Sequence, residues 1–119
     1  MEANTLRIGN LISKNDKPIY VDLGVLQKIQ NGSVIYKPIP LSEEWFLKFD
    51  FELRYFNNDK NRPLWWLVID NRHIDIYPNG DKGFYFLINS IQMSIPIIYV
   101  HQIQNLVYSL TGEELTIKE

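Results

Sequence analysis

The residues of this 119-residue chain that could support acid–base chemistry are two histidines and a few nearby carboxylates. His73 and Asp75 alternate along a predicted strand and therefore share a face, and a carboxylate beside an imidazole is an arrangement that general acid–base catalysis uses. The polar face of a half-buried strand explains the same pattern more simply. Asp70 could pair with Asp75, but it stands where a hairpin turn favours Asp. We therefore predict no catalytic residue and a protein that is not an enzyme.

Metal-bound and cofactor-dependent chemistry lack the residues that they need. The chain has no cysteine, which excludes disulfides, thiolate zinc sites, iron–sulfur ligation and a cysteine nucleophile. His73 and His101 stand far apart in the sequence, and neither has partner ligands at metal-binding spacing. No serine elbow, phosphate-binding loop or dinucleotide fingerprint occurs. The sequence thus predicts no metal and no cofactor.

Two adjacent tryptophans with arginines around them could bind single-stranded nucleic acid. Trp66 could stack a base while the guanidinium groups contact phosphates, and the arginines concerned are Arg54, Arg62 and Arg72. Neighbouring strand residues point to opposite faces, so at most one of Trp65 and Trp66 can belong to the core. The net charge of -2 weakens this interpretation, because phosphate binding favours a basic surface.

The predicted C-terminal helix carries a second candidate surface. Four uncharged polar or aromatic side chains fall on one of its faces, opposite the apolar one: His101, Gln104, Asn105 and Tyr108. A solvated helix face usually carries Lys and Glu, whereas this composition is typical of protein contacts. An ordinary solvent face stays open as the alternative. These four residues, which we call the helix stripe, and Trp65 as an exposed aromatic are the predicted partner-binding residues.

Three helices and an antiparallel sheet are predicted to position these residues. N-cap, stop and spacing signals predict helices over about 22–31, 43–50 and 99–111. Alternating apolar residues bounded by turn residues predict the strands of a meander, over about 53–56, 64–69, 72–77, 84–88 and 91–95. In the third of these strands, Ile74 and Ile76 should point inward and Asp75 outward. Hairpin turns are predicted at Asp70–Asn71 and Asn79–Gly80.

These elements predict an α+β fold in a single domain over residues 1–119. Its antiparallel sheet of about five strands is centred on 64–69, and the C-terminal helix lies across one face with the two short helices at an edge. A final edge strand over 115–117 is also predicted. Strand order does not follow from the sequence.

The composition is that of a folded protein outside the membrane class. Hydrophobic residues make up 45% and charged residues 22%, which are ordinary values for such chains. Residues 1–8 have no basic stretch followed by an apolar one, and no window approaches the roughly 18 apolar residues needed to cross a bilayer. We therefore expect no membrane association and a cytoplasmic location.

Two segments carry a resemblance to a known family. Residues 38–49 read PIPLSEEWFLKF and residues 99–115 read YVHQIQNLVYSLTGEEL, together about a quarter of the chain. They resemble the signature segments of a family of small proteins from phages and prophages of Bacteroides-type bacteria. Asp50 stands where that family has glycine, which predicts a helix exit without a positive φ, and Ile103 stands where it has leucine. The resemblance implies an infected or lysogenic bacterial cell as the setting and brings no mechanism.

In that setting, the sequence favours a non-enzymatic phage accessory protein that binds a host or phage protein, inhibitors of host defence systems included. The alternative is a single-stranded nucleic-acid module in phage replication or recombination. A third interpretation, a phage structural or assembly subunit, requires closed oligomers of this chain. The oligomeric state does not follow from the sequence.

Overall fold

The computed structural model describes residues 6–32, 34–69, 71–78, 83–88 and 91–117, without the side chains of 91–95. Its helices and antiparallel sheets confirm the predicted α+β class. The elements in chain order are β1 (Leu11–Lys14), β2 (Lys17–Tyr20), α1 (Leu23–Asn31), α2 (Glu43–Lys48), β3 (Glu52–Tyr55), β4 (Pro63–Ile69), β5 (Arg72–Pro78), β6 (Phe84–Ile88), β7 (Ile91–Ile97) and α3 (Val100–Thr111). A short 3-10 turn, Phe56–Asn58, follows β3.

The chain divides into two compact units. The first combines Met1–Pro40 with Tyr99–Glu114, and the second combines Leu41–Ile98 with Leu115–Glu119. β1, β2, α1 and α3 belong to the first unit, and α2 with the strands β3 to β7 belongs to the second. The single domain over 1–119 and the helix across one face of the sheet both stay predictions.

A hairpin and a capped helix build the core of the first unit. β1 and β2 pair antiparallel around a two-residue turn, in which Asn15 and Asp16 adopt φ of 52° and 63°. Such paired positive φ values match the twist of a hairpin and suit Asn and Asp. Ile12, Val21 and Tyr36 form the buried cluster, against which α1 packs its apolar side chains. The hairpin and the helix thereby share one small core.

α1 has the caps that its sequence predicts. The Asp22 side chain accepts a hydrogen bond from the Val25 N–H at 2.8 Å, and this satisfies one of the amides that a helix start leaves unpaired. Gly32 ends the helix in the left-handed region, with φ of 67°. The helix predicted over 22–31 is therefore confirmed.

α3 lies within one residue of its predicted bounds. The Gln102 side chain accepts a hydrogen bond from the Tyr99 N–H at 2.9 Å, and Gly112 ends the helix with φ of 73°. The apolar face, Val100, Ile103 and Val107, is fully buried. Burial of this face is what the spacing predicts for an amphipathic helix.

The sheet of the second unit is an antiparallel meander of five strands in the order β3-β4-β5-β6-β7. The predicted centre, residues 64–69, is wrong, because β4 lies next to the edge strand β3 and β5 is the middle strand. β4 is apolar on both sides because its outward positions also carry Trp66 and Val68, so the apolar run does not mark the central position. The register pairs Trp65 with Ile76 and Trp66 with Asp75, which fixes the face of every residue nearby.

One face of this sheet is buried. Ile74 and Ile76 point into it as predicted, and the Trp65 and Phe86 side chains join them. Phe46 from α2 stacks on Trp65, with ring centroids 5.4 Å apart. It also meets the Phe51 and Phe84 rings edge-on. Aromatic packing thus holds α2 against the sheet.

The ends of α2 and the segment after α3 differ from the predictions. α2 ends at Lys48, and Ser42 takes the N-cap position without a side-chain cap hydrogen bond. The prediction that the chain leaves this helix without a positive φ is wrong. Asp50 has φ of 66°, a conformation that Asp tolerates better than most residues. The predicted edge strand at 115–117 is also wrong, since these residues have no regular structure. Asp70 and Asn79–Gly80 lie outside the described residues.

Candidate functional site

The helix stripe is not the exposed surface that its composition predicts. Gln104 is 0% exposed and His101 is 6% exposed. The Leu11 N–H donates to Gln104 Oε1 at 2.7 Å, and Gln104 Nε2 donates to the Gly9 carbonyl at 3.2 Å. The bend before β1 leaves these backbone groups without sheet partners, and a glutamine amide supplies both a donor and an acceptor for them. The assignment of an exposed contact surface to these two residues is therefore wrong.

Asn105 is also used within the chain. Its Oδ1 accepts hydrogen bonds from Asn10 Nδ2 at 2.7 Å and from Arg7 Nε at 3.2 Å. The Arg7 guanidinium lies 4.1 Å from the centre of the Tyr108 ring and forms an ion pair with Glu114. Of the stripe residues, only Tyr108 is exposed, at 42%. Gln104 and Asn105 are thus parts of a hydrogen-bond network within the first unit.

His101 is a buried, packed imidazole. Its ring stacks on Tyr99 with centroids 5.8 Å apart, and its Nδ1 is buried without a hydrogen-bond partner in the described part of the chain. Burial lowers the pKa of His101 below its ordinary value of 6.5, because an imidazolium would lose hydration there. The structure thus gives this histidine a packing role within the first unit.

The two tryptophans separate as the strand period requires. Trp65 is buried under Phe46, so its assignment as an exposed partner-binding residue is wrong. Trp66 points to the opposite face and is half-buried. The Arg54 guanidinium lies 3.5 Å from the centre of the Trp66 ring and pairs with Glu52 at 3.1 Å. The ring face predicted to stack a base is therefore already occupied by a side chain of this protein.

The three arginines of the predicted nucleic-acid surface do not form one row. Arg54 shares its face of the sheet with Trp66, whereas Arg72 pairs with Ile69 on the other face. Arg62 lies in the turn before β4, with its guanidinium 4.2 Å from the centre of the Phe56 ring. Strand parity does not carry across a hairpin turn, so sequence spacing alone could not assign these faces.

The second face of the five-stranded sheet, which we call the open face, is half-exposed. Its described side chains are Glu52 and Arg54 from β3, Leu64, Trp66 and Val68 from β4, His73, Asp75 and Tyr77 from β5, and Tyr85 and Leu87 from β6. Val68 is 46% exposed. The Tyr77 and Tyr85 rings lie side by side across two strands, with centroids 5.4 Å apart. Aromatic and aliphatic groups thus dominate this surface.

Asp75 is the polar centre of the open face. His73 and Asp75 share the face as predicted, with His73 Nδ1 3.9 Å from Asp75 Oδ2. Asp75 Oδ1 is buried and has no hydrogen-bond partner among the described residues. Burial raises the pKa of Asp75 above its ordinary value of 3.8, and the neighbouring charges of His73 and Arg54 oppose part of that rise.

A groove of about 440 Å³ opens beside this carboxylate. Its lining includes Phe56, Arg62, Leu64, Asp75, Tyr77 and Leu87. Sequence alternation places Asp75 and Tyr77 on one face, but it does not show that the loop after β3 closes one side of that face. Sequence reasoning therefore missed the groove, because its walls come from segments that only the tertiary fold brings together.

The described residues contain neither a metal-binding cluster nor a membrane-spanning helix. No group of three or more of their His, Asp or Glu side chains could hold a metal ion. None of the helices in the described ranges is long and apolar enough to span a membrane. No protein-family model, curated protein or solved structure matches this chain.

Proposed function

We propose that this chain is a non-enzymatic accessory protein that binds another protein through the open face of its five-stranded sheet. The observation that carries the proposal is the composition of that face. Protein interfaces are enriched in Trp, Tyr and Arg and depleted in Lys. The open face presents Trp66, Tyr77, Tyr85 and Arg54, and its described strands carry no lysine there. This surface replaces the helix stripe as the candidate for contact.

The low charge of the open face favours a protein partner over nucleic acid. Arg54 is paired with Glu52, and Asp75 adds a second carboxylate at the centre. A single strand of nucleic acid needs free cations along its backbone and uncovered aromatic rings. Trp66 is covered by Arg54, and Arg72 lies on the other face. The nucleic-acid alternative therefore has less support from this geometry.

The resemblance of residues 38–49 and 99–115 to phage and prophage proteins supports a bacterial setting for this binding. In that setting the partner is a host or phage protein in the cytoplasm of an infected or lysogenic cell. Inhibition of a host defence system is one role that such binding serves. The proposed activity is occupation of a partner surface, and it requires no cofactor.

The test is capture of partners from a lysate of a related bacterium on the tagged full chain, with and without nuclease. Val68→Asp places a charge on the open face, at an exposed position near the end of β4. Ile35→Asp makes the same change at a residue that is 79% exposed elsewhere, and it serves as the matched control. We expect a nuclease-resistant partner that binds the wild type and Ile35→Asp but is lost with Val68→Asp, while both variants melt within a few degrees of the wild type.

Two outcomes contradict the proposal. Equal capture by Val68→Asp and the wild type would remove the open face as the contact surface. Recovery that disappears with nuclease, and that weakens steeply as salt is raised, would place the nucleic-acid alternative first, because counterion release makes such binding salt-dependent.

A further inference from the structure

We propose that the groove beside Asp75 binds the guanidinium group of an arginine side chain presented by the protein partner. This inference rests on the proposed function and names the chemistry of the partner at its central contact. It stands on three features: a carboxylate oxygen without a hydrogen-bond partner in the described part of the chain, the aromatic and apolar walls of the groove, and the use of the same carboxylate–aromatic combination elsewhere in the chain.

The carboxylate is the first feature. Asp75 Oδ1 is buried and has no hydrogen-bond partner among the described residues, and its Oδ2 is 3.9 Å from His73 Nδ1. A buried acceptor without a donor costs free energy, and a rotation of the carboxylate that turns this oxygen into the groove lets a ligand with N–H groups recover it. A guanidinium presents several N–H donors in a planar fork that matches a carboxylate.

The walls are the second feature. Tyr77 supplies the aromatic wall, since Phe56 is already covered by Arg62, and Leu64 and Leu87 line the groove. Guanidinium groups stack on aromatic rings, and the methylene stem of an arginine packs on apolar side chains. An ammonium group offers a compact charge without a plane, so this lining favours arginine over lysine.

In the part that the structure describes, the chain itself combines a cation, an aromatic ring and a carboxylate three times, once with Lys48 over Trp45 beside Glu44 and twice with arginine, which is the third feature. Arg54 lies over the Trp66 ring and pairs with Glu52. Arg7 lies over the Tyr108 ring and pairs with Glu114. Asp75 and Tyr77 offer a carboxylate and an aromatic ring without such an arginine among the described residues, because the nearby Arg62 is held over Phe56.

The charges that face the groove set the strength of binding. Asp75 attracts a cation, whereas Arg62 and Arg54, the latter paired with Glu52, repel it. His73 adds repulsion when it is protonated. Binding of a cationic probe should therefore strengthen when Arg62 is replaced by Gln and weaken when salt is raised.

The experiment is an NMR titration of the isotope-labelled full chain with N-acetyl-arginine amide. N-acetyl-citrulline amide, which has nearly the same shape and no charge, is the matched probe. We expect saturable shifts at residues 75–77 and 87 with the arginine probe, and binding of the citrulline probe that is weaker by about tenfold or more. Asp75→Asn should weaken the arginine probe by a similar factor, whereas Glu43→Gln, which removes a distant charge, should leave it unchanged.

Three results overturn the inference: equal binding of the two probes, equal binding by Asp75→Asn and the wild type, or no saturable shift up to the solubility limit of the arginine probe. The partner capture separates this failure from that of the proposed function. A partner lost with Val68→Asp but retained by Asp75→Asn leaves the open face as the binding surface and removes arginine recognition. A partner retained by both variants removes the proposed function itself.

Discussion

The helix stripe and the open face share several residue types but differ in their exposure to solvent. Both combine aromatic side chains with a histidine and other polar groups, which are uncharged on the stripe and include Arg54 and Asp75 on the open face. The stripe points inward, where Gln104 is 0% exposed, whereas Val68 on the open face is 46% exposed. Similar residue types thus serve an internal network in one place and an accessible surface in the other.

Backbone groups without sheet partners explain why the stripe is used inside the protein whereas the open face stays accessible. At the bend before β1, the Leu11 N–H and the Gly9 carbonyl both form hydrogen bonds with the Gln104 side chain. The Arg7 and Asn10 side chains donate hydrogen bonds to Asn105. In the sheet, neighbouring strands already pair the backbone N–H and carbonyl groups, so the side chains of the open face do not need to form hydrogen bonds with them. Uncharged polar residues on a helix therefore indicate a contact surface only when no irregular segment of the same chain needs their hydrogen bonds.

The largest expected effect separates the two tryptophans. Trp65→Ala removes a buried ring stacked on Phe46 and should lower the free energy of unfolding by about 4 kcal/mol. Trp66→Ala on the open face should cost about 1 kcal/mol, from partial burial and the loss of the Arg54 contact. Denaturant unfolding of both variants measures the difference. Equal losses would show that the open face is structural.

The next effect concerns the helix stripe. Gln104→Leu keeps the side-chain size but leaves the Leu11 N–H and the Gly9 carbonyl without their partner, and it should destabilise the protein by about 3 kcal/mol. Tyr108→Ala, at the exposed end of the stripe, should cost less than about 1 kcal/mol. Thermal and denaturant melts provide the test. A neutral Gln104→Leu would contradict the internal network.

A smaller effect follows from the pKa of His101, which burial lowers below 6.5. Below pH 6.5 the unfolded chain takes up a proton that the folded chain resists, so this residue makes stability fall as the pH drops from 6.5 through the folded pKa. The melting temperature of the wild type should therefore decline more between about pH 7.5 and about pH 5 than that of His101→Phe. Parallel declines in the two proteins would show that the imidazole is hydrated in the folded state.

The smallest effect is a gain in stability on the open face. Burial raises the pKa of Asp75 above 3.8, so the folded state holds its proton more tightly than the unfolded state, and stability falls as the pH rises from 3.8 through the folded pKa. Asp75→Asn avoids this loss and should be more stable at neutral pH by about 1 kcal/mol or less. The gain should vanish well below pH 3.8, as melts across the acid range can measure. Destabilisation at neutral pH would mean that the carboxylate has donors in the folded protein.

Local signals predicted much of the fold. Asp22, Gly32 and Gly112 mark helix ends because capping depends on a residue and its immediate neighbours. Alternation along β5 placed Ile74 inward and Asp75 outward for the same reason. Such features need no knowledge of distant segments.

The site could not be predicted in the same way. Whether Trp65 or Trp66 faces the core depends on where α2 packs, and the fate of Gln104 depends on a bend far away in the sequence. The groove beside Asp75 is closed on one side by the loop after β3, and the residues of that loop do not by themselves determine its conformation. Long-range contacts decided each of these points, and a single sequence carries little information about them.

The most direct test of the central claim is hydroxyl-radical footprinting of the chain alone and in complex with its captured partner, because both surfaces carry oxidisable aromatic rings. The proposal predicts that the complex protects Trp66, Tyr77 and Tyr85 on the open face and leaves Tyr108 at the end of the helix stripe as reactive as before. Protection of Tyr108 with unchanged reactivity of the open face would contradict it.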